Sequence, residues 1–280
     1  MNYSHRRSGF IIAILVLVIV PVVFAQRRNR NRYRGPTNLD EYREYKDIPK
    51  WKNADGFGDD TFTFARVKYS SMYGGNRDWR TDYPDSDLNF SLRLQQLTTM
   101  KVNPDPVVIE LSEDKLFDYP FLYMIEPGGI YLENDEVTNL RKYCENGGFL
   151  MVDDFWGDNE YNVFHEQIKR VFPNRKVEEL ELSHEIFHNV YDMKEKPQIP
   201  SIGWAYDGRT YERRENNSGR DVHYRAIKDD EKRIMVLICH NTDLGDGWER
   251  EGENRDYFQE FSVKKAYPMG INIVTYAMTH

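Results

Sequence analysis

Short apolar runs with strand character alternate in this chain with segments of helical periodicity. The strand-like runs lie at 62–69, 107–111, 121–125 and 149–152. The helical patterns lie at 88–97, after Asp85-Ser86-Asp87, at 137–144, before Gly147-Gly148, and at 164–171, before Pro173. Because parallel strands need a crossover between them, the alternation predicts an α/β domain with a mainly parallel sheet covered by helices on both faces.

The C-terminal part follows a different pattern. Apolar runs at 222–227 and 233–240 flank a polar turn at 228–231, which predicts a β-hairpin. The chain then closes on residues with helical spacing, namely Ala266, Ile271, Val274 and Met278. We therefore expect a C-terminal β-hairpin followed by a helix.

The first 25 residues are typical of an export signal. Arg6 and Arg7 precede an apolar run at 9–24, and Val23-Phe24-Ala25 offers small residues where a signal peptidase cleaves. The run is short for a membrane-spanning helix, which needs about 20 residues. We expect residues 1–25 to be cleaved or to remain as an N-terminal anchor in contact with the membrane. The body is then exported to the periplasm or to the outer face of the inner membrane. The arginines after the run oppose this orientation under the positive-inside rule.

Charge divides the chain into a basic N-terminal part and an acidic body. Residues 1–35 hold seven arginines and no acid, which leaves 31 of the 38 basic residues against all 46 acidic ones and a net charge of −15. Such a body repels phosphate backbones, so nucleic-acid binding is not expected. We interpret 26–60 as a basic flexible linker and 61–280 as the folded domain.

The cysteine and glycine patterns exclude several kinds of chemistry. The two cysteines, Cys144 and Cys239, form no C-x-x-C spacing and are expected to be small core residues. Gly128-Gly129 and Gly147-Gly148 lack the G-x-G-x-x-G spacing of dinucleotide-binding sheets. No cofactor is therefore predicted.

Ligands of open parallel sheets bind beyond the carboxyl ends of the strands. The segments expected there are rich in aspartate, glycine and tryptophan. The candidate cleft residues are Trp79, Asp82, Asp153, Asp154, Trp156, His184, Asn241, Asp243, Asp246 and Trp248.

Several candidates have two interpretations. Asp153 and Asp154 fit either a ligand contact or a capping role in the following turn. The three tryptophans fit either stacking on a sugar or cationic group or packing of their own loops. Asp243 and Asp246 lie among glycines and favour a tight turn over a metal loop, because the D-x-[DN]-x-[DN]-G pattern is absent.

Residues 184–188 read His-Glu-Ile-Phe-His and match H-E-x-x-H. On a helix this spacing places two imidazoles on one face for zinc, with the glutamate as general base. The preceding residues 177–182 alternate like a strand, which argues against a continuous helix. His184 and His188 are thus weak metal candidates beside the interpretation as structural histidines.

A set of ordered motifs resembles the bacterial domain-of-unknown-function family 4159 over about 62–280. The motifs are Tyr73-Gly74-Gly75 with Asp78-Trp79, Asp82-Tyr83-Pro84, residues 147–154 (GGFLMVDD), residues 184–188 (HEIFH), residues 241–249 (NTDLGDGWE) and Gly270-Ile271-Asn272. The resemblance implies a class I glutamine-amidotransferase-like fold, with a flavodoxin-like three-layer sheet, and no established activity.

True amidotransferases of that superfamily carry a nucleophilic cysteine in a tight turn after the strand equivalent to 149–152. Asp153 and Asp154 occupy that turn here, and a carboxylate cannot replace a thiolate in attacking an amide. The chain is therefore not expected to be a glutamine amidotransferase. Our leading hypothesis is an exported binding or interaction module for a small molecule, with carbohydrate as one option, or for an envelope protein. The alternatives are a metal-dependent hydrolase using His184, His188 and cleft carboxylates, and a scaffold of an envelope assembly.

Overall fold

A computed structural model describes residues 38–53, 61–72 and 78–280 of the chain, and its central element is a seven-stranded sheet. The strands are β1 (Ala65–Lys68), β2 (Val107–Glu110), β3 (Phe121–Ile125), β4 (Phe149–Asp153), β5 (Glu178–Glu179), β6 (His223–Lys228) and β7 (Ile234–His240). Their order in the sheet is β2-β1-β3-β4-β7-β6-β5. The first five strands in that order are parallel to one another. Strand β6 pairs antiparallel with β7, and β5 pairs antiparallel with β6.

Helices and short turns connect the strands. The helices are α1 (Leu39–Lys46), α2 (Asp85–Leu97), α3 (Asn134–Glu145), α4 (Gly157–Val171), α5 (Ile202–Tyr206), α6 (Leu244–Glu249), α7 (Arg255–Tyr257), a π-helical segment (Phe258–Ala266) and α8 (Tyr267–Thr279). Single 3-10 turns lie at Asp114–Asp118, Pro127–Gly129, Glu185–Phe187 and Glu215–Asn217. Two further strand pairs join Thr61–Phe62 to Lys101–Val102 and Ser70–Ser71 to Ile130–Tyr131.

The middle of the sheet is apolar on both faces. Every residue of β3, β4 and β7 is buried, as expected for parallel strands covered on two sides. Alternate residues enter two separate hydrophobic clusters: Phe121 and Tyr123 join one, and Leu122 joins the other. The first cluster includes residues of α2 and α8, and the second includes residues of α3 and α4. The predicted mixed α/β fold with a mainly parallel sheet is confirmed.

The predicted hairpin and C-terminal helix are present. Strands β6 and β7 pair antiparallel along their length, with a bulge at Ile227 and Lys228 beside the turn. The closing helix α8 extends from Tyr267 to Thr279. Gly270 of this helix packs closely against the core. A Cβ atom added at this position would lie only 2.5 Å from the ring of Phe90, so the site has no room for a larger residue.

Residues 38–53 form part of the folded domain, which corrects the interpretation of 26–60 as a linker. Asn38 caps α1 through its side chain, and Tyr42 and Arg43 of this helix are buried. Arg43 donates hydrogen bonds to the carbonyl oxygens of Pro49 and Pro104. Trp51 Nε1 donates to Val102 O at 2.7 Å. These contacts anchor the segment on the domain. They could not be predicted from the strongly polar sequence of α1.

The predicted export signal lies outside the described residues, as does the arginine-rich stretch that follows it. Within the ranges that are described, no helix combines the length and apolar character needed to cross a bilayer.

Candidate functional site

Acidic side chains from three segments meet at the carboxyl edge of the sheet. Asp153 is the last residue of β4 and Asp154 follows it, Asp243 and Asp246 follow β7, and Asp82 lies just before α2. One carboxylate oxygen from each of Asp82, Asp243 and Asp246 lies within 4.8 Å of the other two. We call these three residues the aspartate triad. The three segments are far apart in sequence, so the fold brings these acids together.

Asp153 lies beside the triad and is fully buried. Its Oδ2 accepts hydrogen bonds from Tyr123 Oη at 3.0 Å and from the backbone N–H of Gly245 at 3.1 Å. Its Oδ1 has no hydrogen-bond partner among the residues that the structure describes. Burial raises the pKa of Asp153 to about 7, although the bonds from Gly245 and Tyr123 offset part of this effect.

Asp82 is held in place by a buried arginine. Arg66 of β1 donates to the carbonyl oxygens of Trp79, at 3.0 Å, and Thr81, at 2.9 Å, and so fixes the segment before Asp82. The Oδ2 atom of Asp82 is buried and makes no hydrogen bond within the described ranges. Burial, followed by the negative charge of Asp246, raises the pKa of Asp82 to about 7.

Asp243 and Asp246 form the start of α6. Asp243 caps the helix, because its Oδ1 accepts from the backbone N–H of Asp246 at 2.6 Å. The Oδ2 of Asp246 accepts from Ile202 N and from Tyr257 Oη, and its Oδ1 lies 3.0 Å from Arg250 Nε. Burial, with the charges of Asp154 and Asp246, raises the pKa of Asp243 well above its usual range. The predicted tight turn is thus a capped helix start that also presents carboxylates to one site.

Asp154 lies in the turn directly after β4. Its φ of 54° is in the left-handed region, which is strained for a residue with a side chain. Its Oδ1 accepts from the indole Nε1 of Trp156 at 3.0 Å. Burial, followed by the charges of Glu126 and Glu212, raises the pKa of Asp154 well above its usual range. The turn therefore presents a buried carboxyl group and no thiol.

Several residues at this edge have left-handed backbone conformations. Asp82 and Asn241 have φ values of 61°, and Glu126, just after β3, has a φ of 48°. Residues with side chains adopt such angles at a cost of about 1–3 kcal/mol and do so mainly at functional sites. The surrounding loops must supply the interactions that maintain them.

Asn241 holds the loops at this edge together. Its Oδ1 accepts from Gly157 N at 2.8 Å, and its Nδ2 donates to the carbonyl oxygens of Ser218 and Asp221. Both ends of the amide are therefore occupied by the backbone of the protein.

The tryptophans pack within the protein. Trp248 is fully buried, its ring lies 4.4 Å from that of Phe90, and its Nε1 donates to Ala266 O at 3.0 Å. Trp156 is 2 % exposed and is bound to Asp154. Trp79 is half-buried, with its ring 6.1 Å from that of Tyr83. Neither Trp156 nor Trp248 presents a ring face on which a sugar could stack.

His184 does not share this edge, which corrects its place among the cleft residues. The positive charge of Lys228 helps to lower the pKa of His184, so the two residues are near each other. Lys228 pairs with Ile234 at the start of β7. The aspartates, in contrast, lie beyond the other end of that strand. At about 3.3 Å per residue, the length of β7 separates the two ends by roughly 20 Å. Burial lowers the pKa of His184, and its Nδ1 accepts from Ile186 N at 3.2 Å.

The H-E-x-x-H motif does not form a zinc-binding helix. Residues 185–187 make one 3-10 turn, with His184 and His188 as its two caps. His188 Nδ1 lies 2.6 Å from Asp192 Oδ1, and its Nε2 lies 2.6 Å from Leu182 O. Both ring nitrogens of His188 are thus used locally, and the hydrolase hypothesis loses the histidines on which it depended.

Both cysteines are fully buried, and neither forms a disulfide. Burial raises the pKa of each thiol above its ordinary value, so neither is available as a thiolate.

A surface groove of about 400 Å³ lies elsewhere, beside α4, and is lined in part by Tyr161, Lys169 and Arg175.

The sequence did not identify several residues that shape the site. Arg66 lies inside a strand, and its neighbours in sequence do not indicate that it is buried. Glu249 and Arg250 follow Trp248, and Arg250 is the positive group that contacts both Asp246 and Glu249. Glu126 follows β3 directly, and an acid at the first position after an apolar strand could have identified it as a residue of this edge.

No curated protein matches the sequence. The model of one family, described as a domain of unknown function (DUF4159), matches residues 63–278, and the chain therefore belongs to that family.

Proposed function

We propose that the chain is an exported binding module without amidotransferase activity, and that its acidic edge is the ligand site. We further propose that its fold is the flavodoxin-like, three-layer arrangement of the class I amidotransferase-like superfamily. The strand order β2-β1-β3-β4-β7 supports this, because flavodoxin-like sheets have the parallel order 2-1-3-4-5. The two hydrophobic clusters, one on each face of the sheet, agree with it.

The residues after β4 support the absence of amidotransferase chemistry. That chemistry needs a thiolate in the turn, activated by a neighbouring base. Asp154 stands there instead, and the thiols of Cys144 and Cys239 are buried in the core. A carboxyl group cannot replace a thiolate in attacking an amide.

The observation that carries the proposal is the convergence of five aspartates on one edge of the sheet. Ionised carboxylates only accept hydrogen bonds, so the site favours ligands that carry positive charge or several donors. With Trp156 and Trp248 buried, a neutral sugar would find no stacking surface on them. Among small molecules we therefore favour a cationic one, and a basic segment of an envelope protein would offer the same chemistry.

Glucosamine and glucose form a matched pair of probes, since they differ only in an ammonium group against a hydroxyl. We expect glucosamine to raise the melting temperature of the full chain in a saturable manner and glucose to have no such effect. Asp82→Asn should abolish the shift, because it removes one charge at constant shape. Glu231→Gln, an exposed acid in the β6–β7 turn at the opposite edge, should retain it. Equal shifts with both sugars, or a full shift in Asp82→Asn, would refute a charge-selective site.

Export is a separate part of the proposal, and it rests on the apolar run at 9–24 and the small residues at 23–25. Alkaline phosphatase, which is active only outside the cytoplasm, should be active when fused after His280. Deleting residues 2–25 should abolish that activity while the fusion protein accumulates to similar amounts. Activity that survives the deletion, or that is absent from the intact fusion, would contradict export through this segment.

A further inference from the structure

We propose that the aspartate triad, Asp82, Asp243 and Asp246, binds one hard divalent cation, Mg²⁺ or Ca²⁺. This inference rests on the proposed function, since it names a ligand for the same edge. The distances between the three oxygens fit such a site. Hard cations are coordinated at about 2.0–2.6 Å, so ligand oxygens on one ion lie up to roughly 5 Å apart. The observed limit of 4.8 Å falls within that span.

An unpartnered carboxylate oxygen beside the triad points independently to a ligand. Asp153 is fully buried, and its Oδ1 has no partner within the described ranges. Its Oδ2 accepts from Tyr123 Oη and Gly245 N. Tyr123 and Gly245 also lie close to Asp82. A Cβ atom added to Gly245 would lie 2.7 Å from Tyr123 Oη and 2.7 Å from Asp82 Oδ2. The carboxylate of Asp153 therefore faces the same small space as the triad.

A bound cation would satisfy the remaining oxygen of Asp153. The Oδ2 of Asp153 already accepts two hydrogen bonds. Its Oδ1 receives no hydrogen bond within the described ranges, so an ionised Asp153 keeps one unpartnered acceptor there. A buried acceptor without a partner costs about 1–3 kcal/mol. A cation with its coordinated water removes the deficit.

The charge balance favours the same conclusion. The triad, Asp153 and Glu249 together offer five carboxyl groups. Arg250 lies 3.0 Å from Asp246, and Arg66 is bound to Asp87. Arg250, together with the charge of Arg66 that also acts on Asp82, cannot neutralise five carboxyl groups of which three are buried and two half-buried. Unpaired charges in such surroundings are strongly unfavourable. A divalent ion supplies two further positive charges at the centre of the group.

The donor set selects the kind of ion. All candidate ligand atoms are carboxylate oxygens, and hard cations prefer these over the nitrogen and sulfur ligands of zinc and copper. Asp246 is oriented by Ile202 N, Tyr257 Oη and Arg250, in the way that outer groups commonly orient metal ligands. Glycine at 245 leaves the space between Asp82 and Tyr123 free.

The test uses the full chain after removal of metals with a chelator, titrated separately with CaCl₂ and MgCl₂ by calorimetry. We expect saturable binding of about one ion per chain by at least one of the two cations. Asp82→Asn and Asp246→Asn should each weaken the affinity at least about tenfold, as expected for loss of a charged ligand. Glu231→Gln should bind as the wild type does. No saturable heat with either cation up to about 10 mM, or unchanged affinity in both folded variants, would overturn the site.

A second measurement needs no variant. Tb³⁺ replaces Ca²⁺ at carboxylate sites and emits when a nearby tryptophan is excited, and Trp248 follows Asp246 by two residues. Sensitised emission that the tighter of the two cations displaces supports the site, and its absence argues against it. If neither cation binds but glucosamine still does, the metal site is wrong and the proposed function stands. If a cation binds and glucosamine does not, the metal site stands and the proposed binding of a cationic small molecule is wrong.

Discussion

Asp87→Ala is expected to lower the free energy of unfolding by about 3–5 kcal/mol, the effect of removing one partner of a buried ion pair. Arg66 and Asp87 are both fully buried. Arg66 Nε lies 3.1 and 2.9 Å from the two carboxylate oxygens, and Arg66 Nη2 also contacts Asp87. The variant leaves the guanidinium in the core without its hydrogen-bonded carboxylate partner. Burial would lower the pKa of Arg66, but the charge of Asp87 more than offsets this and raises it.

Two comparisons make the result interpretable in urea denaturation at constant pH. Glu110→Ala removes the partner of Lys68 in an exposed ion pair on neighbouring strands, where a change of at most about 1 kcal/mol is expected. The double variant Arg66→Met/Asp87→Leu removes both charges and should be more stable than Asp87→Ala alone. If Asp87→Ala costs no more than Glu110→Ala, the buried pair does not hold the segment before Asp82.

The free energy of unfolding, measured without divalent cations, is expected to fall as the pH rises from about 4 to about 7. Asp82 and Asp153 have folded pKa values of about 7 against an ordinary value of 3.8. A carboxyl group whose pKa is raised by folding stabilises the folded state fully below pH 3.8 and loses that contribution as the pH rises through 7. The slope is about 1.4 kcal/mol per pH unit for each such group.

One buried histidine acts in the opposite direction. Burial lowers the pKa of His240 to about 3, so this residue increases stability as the pH rises from about 3 to 6.5. Asp153→Asn separates the two effects, because it removes one carboxyl group, keeps an acceptor for Gly245 and leaves His240 unchanged. Urea denaturation between pH 4.5 and 7.5 should show a shallower fall in the variant. Equal slopes for the variant and the wild type would show that Asp153 is not titrating in this range.

Strong periodicity made much of the fold predictable. Strand β3 has the predicted bounds, and α2 ends at Leu97 as predicted. The helix begins earlier than predicted, because Asp85-Ser86-Asp87 form its first turn and Pro84 is the N-cap residue. Helices α1 and α6 were missed for different reasons. The first is polar, with only Tyr42 and Arg43 buried, and its stability comes from long-range contacts such as those of Arg43. The second contains Gly245 and Gly247, which oppose helix formation locally, but tertiary packing overrides that preference.

The candidate site was predictable where acids follow apolar strands. Parallel strands end at a common edge, so Asp153, Asp154, Asp243 and Asp246 could be placed together. His184 was placed there wrongly because a local motif does not reveal at which end of the sheet it lies. The roles of Trp248 and Arg66 depend on residues far away in sequence, such as Phe90 and Asp87, and no local pattern encodes them.

Strand β5 also limits how copies of this protein can associate. It consists of two residues, Glu178 and Glu179, both exposed, and it forms one edge of the sheet. A strand added there from another molecule would gain very few backbone hydrogen bonds. If that strand were another copy of β5, it would also bring like charges face to face, which is destabilising. The short length and the negative charge of β5 therefore oppose the addition of further strands at this edge, and so they oppose aggregation through intermolecular strand pairing.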